Sequence, residues 1–221
     1  MIRKLLSYLI PIPIFKTKSN WSKSIEVTWA NGELVMDSES TNYSYGSLQR
    51  ILRFGLKKIG FGKIQSMDEI LVLGVAGGSV IKILRDEIHC KGKITGVDID
   101  SEIITIANTY FQLDQIHNLT ILIADAFEFV LKSTKKYDLI IVDIFQDTTM
   151  PNFLFENFFT QKLCALLQNN GFILFNTMVL NEIDNQRNTK YCSAFYQPNF
   201  KIKTIPRVED HNELILIERI K

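Results

Sequence analysis

Cysteine is scarce in this chain of 221 residues. Cys90, Cys164 and Cys192 are odd in number and widely spaced, and no C-x-x-C pair occurs. A disulfide frame and a zinc site are therefore not expected, and free thiols in a reducing compartment fit the pattern. Histidine is equally sparse: His89, His117 and His211 are scattered, so no metal is expected on ligand spacing. An excess of charge of one sign is also missing. Lys and Arg number 25 against 24 Asp and Glu, for a net charge of +1, which gives no reason to expect a nucleic-acid footprint. Repeats and low-complexity stretches are absent. The chain also lacks an apolar run long enough to span a bilayer. The nearest candidate, residues 5–10, is broken by Pro11 and Pro13 and is followed by no small-residue cleavage site. It reads as a short amphipathic helix docked on the body or on a partner subunit, which makes a homodimer a reasonable expectation. No membrane partner is expected, and the chain is expected to be cytoplasmic.

What is present is an ordinary globular composition, 46% hydrophobic and 22% charged. The length suits one core with a small appendage. Residues 24–30 alternate polar and apolar side chains, the period of a half-buried strand. Asn31-Gly32 is a two-residue turn signal, because both positions of a type I′ turn need positive φ, and 33–37 reads as the returning strand. Residues 1–45 thus form an N-terminal helix and a small β unit, and 46–221 a second, larger unit. Residues 46–60 open that unit as an amphipathic helix carrying Leu48, Ile51, Leu52, Leu56 and Ile59. Short, nearly continuous apolar strands at 70–73, 94–97, 119–123, 139–142 and 172–175 then alternate with helical segments at 79–88, 101–110, 127–132 and 152–167. Strands of that kind are buried on both faces, as in a parallel sheet covered by helices. The alternation predicts an α/β, doubly wound, Rossmann-like sheet. Residues 200–205 and 213–218 follow one another closely and predict an antiparallel pair closing one edge of the sheet.

In such a sheet, ligands bind beyond the carboxyl ends of the strands. After the first strand come Gly74, Ala76, Gly77 and Gly78, a loose G-x-G-x-x-G that permits a sharp turn and close approach of a ligand. After the second comes Asp98-Ile99-Asp100. Asp98 lies 24 residues past Gly74, near the spacing at which an acid meets ribose hydroxyls. Asp100 is placed to cap the next helix, leaving Asp98 for the ligand, with Ile99 beside it. After the third strand, Asp125 either accepts from an adenine amino group, with small Ala126 making room for the base, or caps the helix that starts at Phe127. After the fourth comes Asp143, in the position expected for catalysis; a cap or a loop ion pair is the competing role. Phe145 and Gln146 are expected on the substrate side, and Asp147 faces either the substrate or solvent. Phe153, Phe155, Phe158 and Phe159 read as core. In the glycine loop there is no basic partner for a pyrophosphate. This favours an adenosyl sulfonium cofactor, S-adenosylmethionine or its decarboxylated form, over a dinucleotide.

With these residues in this order, the chain resembles the spermidine synthase-like family of the class I methyltransferase superfamily. The resemblance rests on ILVLGVAGGSVI at 70–81, ITGVDIDS at 94–101, IADAFEFV at 123–130 and YDLIIVDIFQ at 137–146, with the β unit ending in NYSYG at 42–46. It spans roughly residues 22 to 180. It implies that Asp98 holds the ribose and Asp125 the adenine amino group. It also implies that Asp143, the first acid of the family's D-x-x-D loop, orients the attacking amine and accepts its proton, with Tyr43 and Tyr45 on the substrate side. Two departures stand out. The second acid of the loop falls on Gln146, with Asp147 one place later, and the acidic pair before the first long helix reads Thr41-Asn42. Those acids hold the cationic polyamine in the family, so their loss counts against putrescine. The reaction implied is transfer of an aminopropyl group to a small-molecule amine. The alternatives are methyl transfer from S-adenosylmethionine to another acceptor, or a binding protein that kept the fold without activity. An acidic pocket favours the decarboxylated cofactor; a neutral or basic one accepts the amino-acid carboxylate.

Overall fold

The structure is a computed structural model that describes residues 2–38, 42–44 (backbone only), 46–146, 149–195, 198–209 and 211–220. The chain opens with α1 (Ile2–Leu6), followed by β1 (Ile12–Thr17), β2 (Ile25–Ala30), β3 (Glu33–Ser38) and β4 (Asn42–Ser44). These four strands form an antiparallel sheet in sequential order. Asn31 and Gly32, at φ 51° and 79°, make the predicted tight turn between β2 and β3. β1 lies outside the sequence reading. Its alternation is interrupted by a register shift between Pro13 and Phe15. α1 buries none of its own residues. The segment is held instead through Ser7, whose carbonyl and hydroxyl oxygens accept from the N–H groups of Asn31 and Gly32, both at 2.9 Å.

Then follow α2 (Gly46–Ile59), α3 (Phe61–Gln65), β5 (Glu69–Leu73), α4 (Ser79–Lys82), β6 (Lys93–Asp98), α5 (Ser101–Phe111) and β7 (Leu119–Ile123). The chain continues with α6 (Ala126–Lys132), β8 (Tyr137–Val142), α7 (Asn157–Leu166), β9 (Leu167–Met178), α8 (Glu182–Ser193), β10 (Phe200–Val208) and β11 (Asn212–Arg219). Seven strands form one sheet in the order β10-β11-β9-β8-β5-β6-β7. The pairs from β9 to β7 are parallel. The C-terminal hairpin joins β9 antiparallel through β11, which is the mixed α/β architecture predicted.

The central strands bury both faces because alternate side chains point to opposite layers. Ile70 and Val72 of β5 and Leu139 and Ile141 of β8 pack under α2 and α4. Leu71, Leu73, Ile140 and Val142 pack against α6, α7 and α8. All eight are fully buried, each contributing about 1.5–3 kcal/mol of transfer free energy. A third, smaller core joins the N-terminal sheet to the larger one: Ile25, Val27 and Met36 meet Ile103, Ile106 and Phe111 of α5. That contact brings the β1–β2 loop to the carboxyl ends of the large sheet.

Two predicted helices differ in detail. The segment after β5 is α-helical only through Lys82 and then widens into a π turn over Ile83–Glu87. There Arg85 donates to the carbonyls of Cys90, Gly92 and Asn118. The predicted helix at 152–167 splits into a 3-10 turn, Asn152–Phe155, and α7, and its last residue, Leu167, belongs to β9, opposite Tyr137. Among the described residues no helix is long and apolar enough to cross a membrane.

Candidate active site

The chain leaves β5 to build β6 and β7 on one side, then returns to lay β8 on the other side of β5. The loops after β5 and β8 therefore diverge at the switch point. Gly74 (φ 87°) and Asp143 are the first residues beyond those two strands. A Cβ at Gly74 would lie 2.1 Å from the Asp143 carbonyl oxygen, so glycine is needed where the two loops part. Here a cavity of about 410 Å³ opens, within the usual range for a small-molecule site.

Asp98 is less free than the sequence suggests. Its Oδ2 accepts from the N–H groups of Val75 and Ala76, both at 2.9 Å, and its Oδ1 from the N–H of Asp100 at 2.9 Å. Three of about four lone-pair sites are thus spent on the backbone. The carboxylate holds the loop after β5 in shape, including Ala76 at φ 47°, and has roughly one site left for a hydroxyl. Burial raises its pKa above the ordinary carboxylate value, opposed by the N–H groups of Ala76, Asp100 and Val75. Asp100 caps α5 as predicted, its Oδ1 accepting from Glu102 and Ile103. Asp125 caps α6 through Oδ1, which accepts from Phe127 at 2.7 Å and Glu128 at 3.2 Å. It also lines the cavity, and no donor reaches its Oδ2 among the described residues. The two roles weighed for Asp125 are therefore compatible.

Gly74, Ala76, Asp98, Ile99, Asp125, Ala126, Asp143, Phe145 and Gln146 share the cavity wall. Gly77 and Gly78 are not on it. Gly78, at φ 78°, is required by the turn into α4, where a Cβ would meet Leu113 at 2.5 Å. Gln146 closes a tight turn, exchanging N–H···O bonds with Thr149 at 2.8 and 3.0 Å. Tyr45 and Asp147 lie outside the described residues, as does Thr41, and Tyr43 and Asn42 are described as backbone in β4.

Asp143 has a different environment from the other acids. Its side chain accepts from Asn176 Nδ2 at 2.9 Å. Burial pushes its pKa up to about 6, and the hydrogen bond from Asn176 offsets only part of that. A carboxyl that titrates there is poised to take up a proton near neutral pH.

Several lining residues escaped the sequence reading. Ser47, Leu48 and Ile51 come from α2, and Asn176, Met178 and Asn212 from β9 and β11. Trp21 comes from the β1–β2 loop. That loop is knotted by Ser19, whose hydroxyl accepts from the N–H groups of Trp21 at 3.1 Å and Ser22 at 3.0 Å and donates to Asp100 Oδ2. Only Asp100, already identified as a cap, could have hinted at this contact. Phe153 both lines the cavity and packs edge-on against Phe127 and Phe159, so core and site overlap there. Asp98, Asp100, Asp125 and Asp143 are the titratable side chains on the wall, and no Lys, Arg or His is among its described residues.

Fold and site together define a class I methyltransferase-like α/β domain with an acidic cleft at its switch point. Residues 55–211 match the model of the spermine/spermidine synthase domain. The chain belongs to the spermine/spermidine synthase family. It is 29% identical over 153 residues to a polyamine aminopropyltransferase of Vibrio vulnificus, a match covering 67% of this chain and 50% of that protein. The chain thus spans about half the length of this curated relative. A probable spermidine synthase from Corynebacterium glutamicum superposes with a TM-score of 0.74 at 14% identity, covering 94% of this chain and 80% of the other. Human methyltransferase-like protein 13, in complex with SAH, superposes with a TM-score of 0.64 at 21% identity, covering 80% and 83%.

Proposed function

We propose that this chain is an aminopropyltransferase that uses decarboxylated S-adenosylmethionine and a small amine acceptor. The observation that carries this reading is the charge of the cleft: four carboxylates and no basic side chain among its described lining residues. A cofactor bearing a free carboxylate would face like charge in a site of low dielectric, whereas one ending in an ammonium group would meet only opposite charge. Family membership supports the same reaction.

In this reading Asp98 keeps the loop after β5 in shape and offers its remaining lone pair to a ribose hydroxyl. Asp125, already capping α6, offers Oδ2 to the adenine amino group, and Ala126 leaves room for the base. When bound, the sulfonium supplies the leaving group. The acceptor nitrogen forms a bond to the propyl carbon, the carbon–sulfur bond breaks with its electron pair passing to sulfur, and the amine proton passes to Asp143. Asp143 therefore holds the amine neutral and aligned. Its pKa of about 6 lets it serve as base at neutral pH and release the proton afterwards. Gln146, which lines the cleft, belongs to the acceptor side. The test is incubation with decarboxylated S-adenosylmethionine and a panel of mono- and diamines, with chromatographic detection of methylthioadenosine. Its amine-dependent release is expected. Consumption of S-adenosylmethionine with release of S-adenosylhomocysteine would instead establish methyl transfer.

The reading includes a homodimer. Ile2, Leu5, Leu9 and Ile10 are 63–81% exposed, a strip that association of two copies would cover. A gel-filtration mass that falls when residues 2–10 are removed is expected; an unchanged monomer would exclude it.

A further inference from the structure

We propose that Asn212 and Asn176 form an amide relay of fixed polarity that holds the Asp143 carboxylate ready for the acceptor, with Asn212 acting through Asn176 as a positioning residue. This rests on the reading of Asp143 as the proton acceptor. The two amides sit on neighbouring antiparallel strands. Asn212 lies opposite Met178, and Leu214 opposite Asn176. The period of two then puts Asn176, Met178 and Asn212 on one face of the sheet, with the two asparagines as diagonal neighbours. All three line the cleft.

The bonding fixes which way each amide points. An ionised carboxylate can only accept, so Asn176 presents Nδ2 to Asp143 at 2.9 Å. Its Oδ1 then faces Asn212, which donates from Nδ2 at 3.0 Å. Asn176 is fully buried, and both of its side-chain hydrogen bonds are made within the protein. The second bond matters because a protonated Asp143 would gain from the opposite arrangement, donating to Asn176 Oδ1. Flipping Asn176 to allow this would break its bond from Asn212 or oblige Asn212 to turn with it. Asn212 therefore penalises the protonated state of Asp143 without touching it. The other titratable groups on the cleft wall, Asp98, Asp100 and Asp125, are engaged by backbone N–H groups. Thr177 points to the opposite face, accepting from Asn188 at 2.8 Å. Glu213 and Arg187 accompany it there: Asn188 contacts Glu213, and Arg187 packs on Phe155. The hairpin that carries Asn212 is pinned to α2 by the Arg50–Glu209 ion pair, so the C-terminal strands take part in setting the active carboxylate.

The experiment is a carbon-13 NMR titration of the Asp143 carboxyl in aspartate-labelled full-length protein, assigned by its loss in D143N. It compares wild type, N176A, N212A and the double variant. N176A should move the Asp143 midpoint upward by about one pH unit, the scale of one charge-assisted hydrogen bond. N212A should move it upward by roughly half as much, and adding N212A to N176A should change nothing further. In wild type and variants with transferase activity, the acidic limb of the kcat/KM profile should move by the same amounts, with nucleoside affinity unchanged. N212A removes a half-buried side chain at a strand start, so it remains informative if N176A does not fold. An unchanged midpoint in N212A, or a shift that adds to that of N176A, overturns the relay. The titration needs no turnover, so absence of aminopropyl transfer would sink the functional reading alone and leave the relay to be judged by its midpoints.

Discussion

The two ends of the cleft use aspartate for opposite purposes. At the β6–β7 end, Asp98 accepts three backbone N–H groups and Asp125 two. These carboxylates shape the loops and offer what capacity remains to a ligand. At the β8–β9 end, Asp143 is half-buried and accepts from one side-chain amide, and desolvation lifts its pKa to about 6. The topological position is similar in all three cases, at the carboxyl end of a parallel strand. What separates the proposed base from the other two is how many backbone donors reach each carboxylate. Backbone donors stabilise the ionised form and fix it in place. A carboxyl with a single donor in a desolvated site keeps its proton affinity and pays for it in stability.

D143N should lower kcat by about 10²–10⁴-fold, the usual contribution of a positioned base, with nucleoside binding retained. A wild-type rate in D143N would move the chemistry away from this end. The same substitution should stabilise the fold at neutral pH. The folded-state pKa of Asp143, about 6, lies above the ordinary 3.8, so the folded state favours the protonated carboxyl. The stability this group contributes is present below about pH 4 and is lost as pH rises through about 6. D143N should therefore gain roughly 2–3 kcal/mol over wild type at pH 7.5, and the gain should vanish near pH 4; urea denaturation at the two pH values measures it.

G74A should cost on the order of 3–5 kcal/mol, because its Cβ would strike the Asp143 carbonyl and its φ is 87°. Thermal denaturation is the check, and a near-neutral result would mean that the loops have room to part. D98N should destabilise the ligand-free protein by roughly 1–3 kcal/mol, since an amide cannot accept on both sides. Loss of nucleoside affinity with no loss of stability would show that Asp98 serves the ligand alone. S19A should have the smallest effect, roughly 0.5–1 kcal/mol, by releasing the β1–β2 loop from Asp100. It should also change Trp21 fluorescence on nucleoside binding.

Much of this architecture was legible in the residues. The five apolar strands, the helices between them and the antiparallel C-terminal pair follow from period and length, since strands buried on both faces leave a continuous apolar signature. The acids at strand ends were legible for the same topological reason, and Asp100 as a cap followed from local spacing. Long-range partners were not legible. That Asp98 binds Val75 and Ala76, that Ser19 reaches Asp100 across 81 positions, and that Asn176 and Asn212 meet beside Asp143 all depend on pairing between distant segments. Asn176 looks like a polar interruption at the end of an apolar run, and only the register of β9 with β11 turns it into a partner for Asp143. The break at Glu156 is hidden because helical spacing of apolar residues runs through Asn152–Phe155 and α7 with no glycine or proline between them.

If the aminopropyltransferase proposal holds, the carboxylates of the cleft select a cofactor without a carboxylate of its own. Calorimetric titration of the full chain with decarboxylated S-adenosylmethionine and with S-adenosylmethionine, at one pH and ionic strength, tests it directly. Tighter binding of the decarboxylated form by about tenfold or more is expected, a difference of about 1.4 kcal/mol. Equal or tighter binding of S-adenosylmethionine would contradict it.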